Sequence, residues 1–332
     1  MKKIPLILLL GVIVAIGLLF NGNDNSSQGD FNNFAIKDTS IITKIFFADK
    51  FDNTVILTKK NNKWLVDGKY PVRKDALRYL MSTISDIRVK HPVSNSLHDK
   101  IVKNLATSAV KVEFYTNDTL QVYKSYYVGG ESKDLIGSYM LMENSNRSYV
   151  VYIPGFNGFL APRYNIDGFL ISQDLWRDRR LFNYDISSMK SVEVINHDDS
   201  LKSFTIFRQK DTYSISRNNT VKPISLENGN IYFNLFKQVN CEGFMNDFSK
   251  KDSIINSKPY YTITVTDTAN SKKTITTFHK APERIEYLDN NGEKLKYDVD
   301  RMYAQLNEDF LLIQFFVFDK ILLRSPQFNV EK

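Results

Sequence analysis

The four histidines, His91, His98, His197 and His279, and the single cysteine, Cys241, are the first residues to weigh for chemistry. No two histidines stand at i, i+4, and no H-E-x-x-H occurs, so no helix presents the paired imidazoles of a zinc protease. His197, Asp198 and Asp199 have the atoms to ligate a metal. They sit in Asn196–Ser200 between two strand-like runs, however, where Asn and Asp are first of all turn formers. A lone cysteine excludes an intramolecular disulfide. Cys241 lies in a stretch of helical spacing, which predicts a half-buried, inert thiol. No G-x-S-x-G, Walker loop or G-x-G-x-x-G is present. Gly155-Phe156-Asn157-Gly158 has too few glycines to cradle a phosphate. The sequence therefore calls for no cofactor and no metal, and leans away from an enzyme.

A second cluster is denser. Asp174, Trp176, Arg177, Asp178, Arg179, Arg180 and Asp185 crowd one short stretch near the middle of the chain. Paired carboxylates hydrolyse glycosides when the fold sets them across a sugar, and such residues meet only in the fold. Arginines close by give the same carboxylates ion-pair partners instead. Trp and Arg are also the types most enriched at binding hot spots, and Arg grips a carboxylate or phosphate through two parallel bonds. Trp176, Arg177, Arg179 and Arg180 are thus the candidate docking residues. The competing reading has Trp176 pinning one module to the other, with the arginines paired internally to Asp174, Asp178 and Asp185.

The elements that must position these residues form two similar series. Ile41–Ala48 and Thr54–Thr58 read as a strand pair, followed by Lys63–Val66 with Trp64 and a turn at Asp67-Gly68. Leu77, Leu80, Met81, Ile84 and Ile87 then fall on one helical face, which His91-Pro92 stops. Leu97, Ile101 and Leu105 make the stripe of a second helix beginning at Ser96. Strands follow at Val110–Tyr115, Val122–Val128, Ser138–Met142 and Tyr149–Ile153. After the arginine cluster the order repeats. Ser191–Ile195 pairs with Ser203–Arg208, Tyr213 stands where Trp64 stood, and Ile231, Leu235 and Val239 give the helical face. Ser249–Ile255 takes the place of the second helix. Tyr261, Ile263 and Val265 match Val110, Val112 and Phe114. Thr274–Phe278 and Arg284–Leu288 follow, with a hairpin turn at Asn291-Gly292. Each copy ends in an aromatic segment, Gly168–Phe182 and Met302–Leu323. The unbroken apolar run from Leu311 to Val317 predicts a buried helix.

Composition sets the frame. A chain of 332 residues has room for two domains, and 42% hydrophobic with 24% charged residues is that of a folded protein. The net charge of +7 comes from lysines spread along the chain. Nucleic-acid binding needs a clustered stripe and a recognisable module; neither is present, so no nucleic-acid partner is expected. At the N-terminus Lys2 and Lys3 precede an apolar run from Ile4 to Phe20, at the short end of a bilayer span, without a clear cleavage site. The expected organisation is a cytoplasmic stub at 1–3, a transmembrane signal anchor at 4–20 and a flexible tether at 21–40. Two modules at 41–185 and 186–326 and a tail at 327–332 complete it. The fold class is α+β: two tandem, duplicated mixed modules of antiparallel strands with packed helices, behind an N-terminal transmembrane helix.

The run from Trp64 to Ser94 and the stretch Asp174–Val194, with its Arg177-Asp178-Arg179 step before Leu181, carry a resemblance. They resemble a bacterial envelope family known as domain of unknown function 4340. The likeness covers most of Ile41–Val194 and fades beyond it. It implies membrane anchoring and, for some members, a neighbourhood of gliding-type ABC transporters. It carries no catalytic residue over. Anchor and resemblance together predict a single-pass inner-membrane protein with its bulk in the periplasm. The expected role is a non-enzymatic scaffold or auxiliary subunit of a transporter or motility-type ABC complex. An envelope polysaccharide hydrolase or sugar-binding protein is the alternative.

Overall fold

Alternating apolar residues make strands here because a strand's side chains point to opposite faces, and each series of strands buries one face. The structure is a computed structural model that describes residues 33–116, 121–283 and 292–323. It divides into Met1–Asp178 and Arg179–Lys332.

In the first unit the strands are β1 (Lys44–Ala48), β2 (Thr54–Lys60), β3 (Lys63–Val66), β4 (Tyr70–Pro71), β5 (Arg88–Pro92), β6 (Val110–Tyr115), β7 (Lys124–Glu131), β8 (Ser138–Met142) and β9 (Ser148–Tyr152). They form one sheet in the order β4-β3-β2-β1-β6-β7-β8-β9-β5. Helix α1 (Lys74–Asp86) buries Ala76, Leu80, Thr83 and Ile84. Helix α2 (Asn95–Ser108) buries Ile101 and Leu105. A single turn, α3 (Gln173–Trp176), closes the unit. The core gathers the inward residues of β1, β2 and β6 with α1 and Trp176. Asn61 and Asn62, at φ 49° and 60°, turn β2 into β3, the left-handed pair that a two-residue hairpin needs.

The second unit has β10 (Arg180–Phe182), β11 (Met189–Asn196), β12 (Phe204–Gln209), β13 (Thr212–Arg217), β14 (Thr220–Ile224), β15 (Val239–Asn240), β16 (Gly243–Phe244), β17 (Tyr261–Asp267), β18 (Lys272–Phe278), β19 (Arg301–Leu306) and β20 (Asp309–Gln314). Its helices are α4 (Leu226–Asn234), α5 (Lys251–Ile255) and α6 (Phe315–Phe318). Its large sheet runs β14-β13-β12-β11-β17-β18-β19-β20-β16. This is the order of the first sheet, element for element. Register agrees as well. Val112 lies opposite Phe47 and Ile263 opposite Val194. Trp64 lies opposite Lys59 and Tyr213 opposite Arg208, at matching places in matching strands. In the edge strands Leu65 lies opposite Pro71 and Ser214 opposite Pro223. Both copies thus place proline at one edge position, where a missing N–H blunts pairing with another chain.

Several expectations need correction. Among the described residues no helix is long and apolar enough to cross a membrane. The anchor expected at 4–20 lies outside the described residues, as do the stub and the tail. The described residues form two similar α+β units, and none of their helices is a transmembrane helix. The expected inner-membrane partner through residues 4–20, the single-pass topology and the periplasmic bulk find no supporting segment among the described residues. The tether expected to reach residue 40 ends earlier, since Phe34 and Ile36 are core residues. Met302–Leu323 is a hairpin, β19 and β20, with one short helix after it. A central strand covered on both faces is apolar throughout and mimics a buried helix. Gly168–Phe182 holds one helical turn and a strand rather than an aromatic helix. In the second unit the helical face is Gly229, Tyr232 and Phe233, and Val239 belongs to a strand. His91 and Pro92 close an edge strand, β5, rather than a helix. The strand at Arg284–Leu288 and the Asn291-Gly292 turn fall at least in part outside the described residues.

Candidate functional site

A cleft of about 670 Å³ in the first unit has a convergent polar and aromatic lining. One wall is α2. Its apolar stripe sits on the outward side chains Tyr127, Tyr139 and Leu141 of β7 and β8. The strand lets the helix down because it carries Gly129 at a bulge. A Cβ there would stand 2.3 Å from Leu105 Cδ2 and 2.9 Å from the Tyr139 carbonyl oxygen. The remaining side of α2 turns Asn104, Thr107 and Ser108 into the cleft, and Gly130, Glu131 and Tyr139 line it from the sheet.

The opposite wall is the loop from Gly158 to Leu170, and backbone bonds fix it at both ends. The Gly137 N–H donates to the Gly158 carbonyl at 3.0 Å, and the Leu160 N–H donates to the buried Ser138 Oγ at 2.9 Å. At the other end Asp167 and Leu170 exchange backbone bonds around a two-residue turn. Gly168 takes φ +62° at the first turn position, which leaves Phe169 at the tip. Phe159 and Phe169 line the cleft yet stay 37% and 51% exposed. A tripeptide repeats at this wall, Gly158-Phe159-Leu160 and Gly168-Phe169-Leu170. Glu131 is the one charged side chain in the lining. Among the described residues its carboxylate enters no hydrogen bond or ion pair, whereas Glu113, Glu143 and Glu242 are each held by Lys or Arg.

Two polar clusters lie elsewhere. On the outer face of the first sheet Lys111 Nζ bridges Glu113 at 2.7 Å and Glu143 at 2.5 Å, and the Tyr115 hydroxyl donates to Glu113. Burial works against the Lys111 charge, but the two carboxylates more than offset it and its pKa is raised. The Lys111 hydrogen bond holds Glu143 below its ordinary value. Burial and then Glu113 push Tyr115 up to about 12. Both carboxylates and the ammonium are engaged with one another within the cluster. The second copy puts Thr262, Thr264 and Thr266 in the matching register positions.

In the second unit His279 Nε2 bonds Asp198 Oδ2 at 2.7 Å, and Lys258 Nζ holds the other oxygen at 2.9 Å. The His279 ring is stacked between Tyr260 and Tyr297, each with its centroid 3.8 Å away. Those rings cover both faces of the imidazole, and the hydrogen bond from His279, then that from Lys258, lowers the Asp198 pKa. The Asn196–Ser200 stretch is a turn, with Asn196 Oδ1 accepting from the Asp198 and Asp199 N–H groups. Among the described residues no group of three or more His, Cys, Asp and Glu is placed to hold a metal ion. Cys241 is buried between β15 and β16.

The sequence-derived docking residues fall in different places. Trp176 is fully buried in the first unit's own core, with its ring 5.2 Å from that of Phe47. Arg177 is buried too. It bonds Asp174 at 3.0 Å and stacks 3.7 Å above the Tyr70 ring. Trp176 and Arg177 therefore offer no docking surface, because the edge strand β4 and α3 enclose them. Arg179 is half-buried and Arg180 is exposed, next to and within β10. None of Trp176, Arg177, Arg179 and Arg180 lines the cleft. Asp174, Asp178 and Asp185 do not line it either, which leaves the hydrolase alternative without its carboxylate pair there. The sequence reading passed over Phe159 and Glu131 and counted Phe169 with Leu170 and Trp176 as a run that must bury, whereas Phe169 and Leu170 are 51% and 48% exposed. The repeated Gly-Phe-Leu was the signal that could have found the two phenylalanines.

No family model, no curated protein and no solved structure matches this chain. The resemblance to domain of unknown function 4340 rests on the sequence motifs alone. The role as an anchored envelope scaffold or ABC-transporter subunit depended on a membrane segment, and none is found among the described residues.

Proposed function

We propose that the protein is a small-molecule-binding protein whose ligand occupies the cleft between α2 and the Gly158–Leu170 loop. The observation that carries this reading is the pair Phe159 and Phe169, held by fixed backbone on one wall of a concavity and left exposed. Exposed aromatics have a cost in water, and a wall ordered this firmly does not need them for its own packing. The volume lies within the roughly 300–1,000 Å³ of ordinary ligand sites. The second copy has only α5 in the place of α2, so the shared fold does not require the cleft.

The test is hydrogen exchange on the full chain with choline or its neutral carbon isostere 3,3-dimethylbutan-1-ol as probe. Binding of either should slow exchange in the second half of α2 and in residues 158–170, and Phe169→Ala should shift that effect to higher probe concentrations. Unchanged exchange in both segments with both probes at saturation would overturn the assignment.

A further inference from the structure

We infer that the ligand of this cleft is a small organic cation with an apolar body, such as an alkylammonium or quaternary ammonium compound. The inference rests on the cleft being the binding site. It adds the class of ligand, which shape alone does not give.

Charge is the first argument. The chain carries +7, with 44 Lys and Arg against 37 Asp and Glu. The lining of the cleft reverses that balance, since its single charged side chain is Glu131. Lys100 and Lys103 lie on α2 but are not among the lining residues. A carboxylate without a partner among the described residues, on the wall of a concavity that holds no other charge, favours a cation there.

The second argument is the chemistry of the walls. An aromatic face carries partial negative charge, and cations within reach of it are attracted. Phe159, Phe169 and Tyr139 supply three rings to this lining. Phenylalanine offers a neutral or anionic ligand no hydrogen bond, so Phe159 and Phe169 suit a cation that is itself poorly hydrated. Asn104, Thr107 and Ser108 provide side-chain donors and acceptors along the α2 wall for a polar tail. One carboxylate, three rings and a short polar rail describe an ammonium group carrying apolar substituents and a hydroxyl or carbonyl.

The experiment compares isosteres by calorimetry on the full-length protein. Choline and 3,3-dimethylbutan-1-ol differ in charge and hardly in shape. Choline should bind at least about tenfold more tightly. Glu131→Gln should remove most of that preference while leaving the neutral probe's affinity unchanged, and Phe169→Ala should weaken both. Glu131 and Phe169 are exposed, and an unaltered melting temperature would show that both variants fold. Equal affinity for the two probes at the cleft would overturn the cation assignment and leave the binding site standing. A choline preference that survives Glu131→Gln would also overturn it. Absence of binding by either probe would remove both readings.

Discussion

Single side chains in this protein divide into those enclosed by the fold and those it leaves presented. Leu80 sits at the centre of the buried face of α1 and is fully excluded from water. Leu80→Ala should destabilise the protein by about 2–5 kcal/mol in urea unfolding, because the backbone around a core helix collapses only partly into the cavity. A loss under about 1 kcal/mol would mean that the helix does not bury this face. Lys111 gives a pH-dependent counterpart. Its hydrogen bond keeps Glu143 below the ordinary 4.5, partly against the cost of burial. A folded pKa below the unfolded value contributes stability above the unfolded pKa, and that contribution fades as pH falls through the folded one. Lys111→Met should therefore cost about 1–2 kcal/mol at pH 7 and clearly less at pH 3. An equal loss at both pH values would show that only packing of the lysine stem was removed. Trp176 illustrates the limit of composition: its type suggested a hot spot, and its place in the core excludes one.

At the level of elements, α2 and the sheet beneath it decide whether the cleft exists. Gly129 lets Leu105 touch the backbone of β7, and any side chain there must push back Leu105 of α2 and the Tyr139 backbone. Gly129→Ala should destabilise by about 1–3 kcal/mol, as overpacking does. It should also remove choline binding, because Asn104, Thr107 and Ser108 move with α2. Retained binding with normal stability would show that the helix has slack that the close contact denies. Gly229 plays a similar part in α4, where a Cβ would come within 2.1 Å of the Tyr213 ring. Strand elements were legible in advance because alternation is a local signal. Val110–Phe114 alternates inward and outward as its residue types suggest, and Tyr261–Asp267 does so over most of its length. The hairpin of β19 and β20 was not legible, since both of its faces are covered and alternation disappears.

For the molecule as a whole, two copies of one sheet order have kept the scaffold and changed the surface. Matching inward positions stay apolar: Phe47 and Val194, Leu57 and Ile206, Val112 and Ile263. Matching outward positions exchange a charged network for threonines. Buried tyrosines mark both cores, and they give a property that can be measured on the intact chain. Burial raises Tyr126 and Tyr232 well above their ordinary 10.0, and burial also raises Tyr164. Folded pKa values above the unfolded value give stability that is complete below pH 10 and is lost as pH rises beyond it. Alkaline titration followed at the phenolate absorbance should thus show an early class and a late class. The late class should appear together with loss of circular dichroism. Ionisation of all 18 tyrosines in one step near pH 10, with the fold intact, would contradict the burial of these rings.

The sequence by itself determined what is local or periodic. It placed most strands, the two helices of the first unit, the turn at Asn196–Ser200 and the recurrence of Trp64 as Tyr213, since hydrophobic period and turn chemistry act over a few residues. It also determined that one cysteine forms no internal disulfide. Only the tertiary structure decided which aromatic side chains face water. Trp176 and Phe169 lie in one stretch with similar neighbours, yet one fills the core and the other tips a turn. Solvent exposure depends on what distant strands bring against a residue, and sequence spacing does not carry that information. Likewise Asp198 and His279 meet across 81 positions, and Glu131 on β7 lines the same cleft as Phe169 on the Gly158–Leu170 loop.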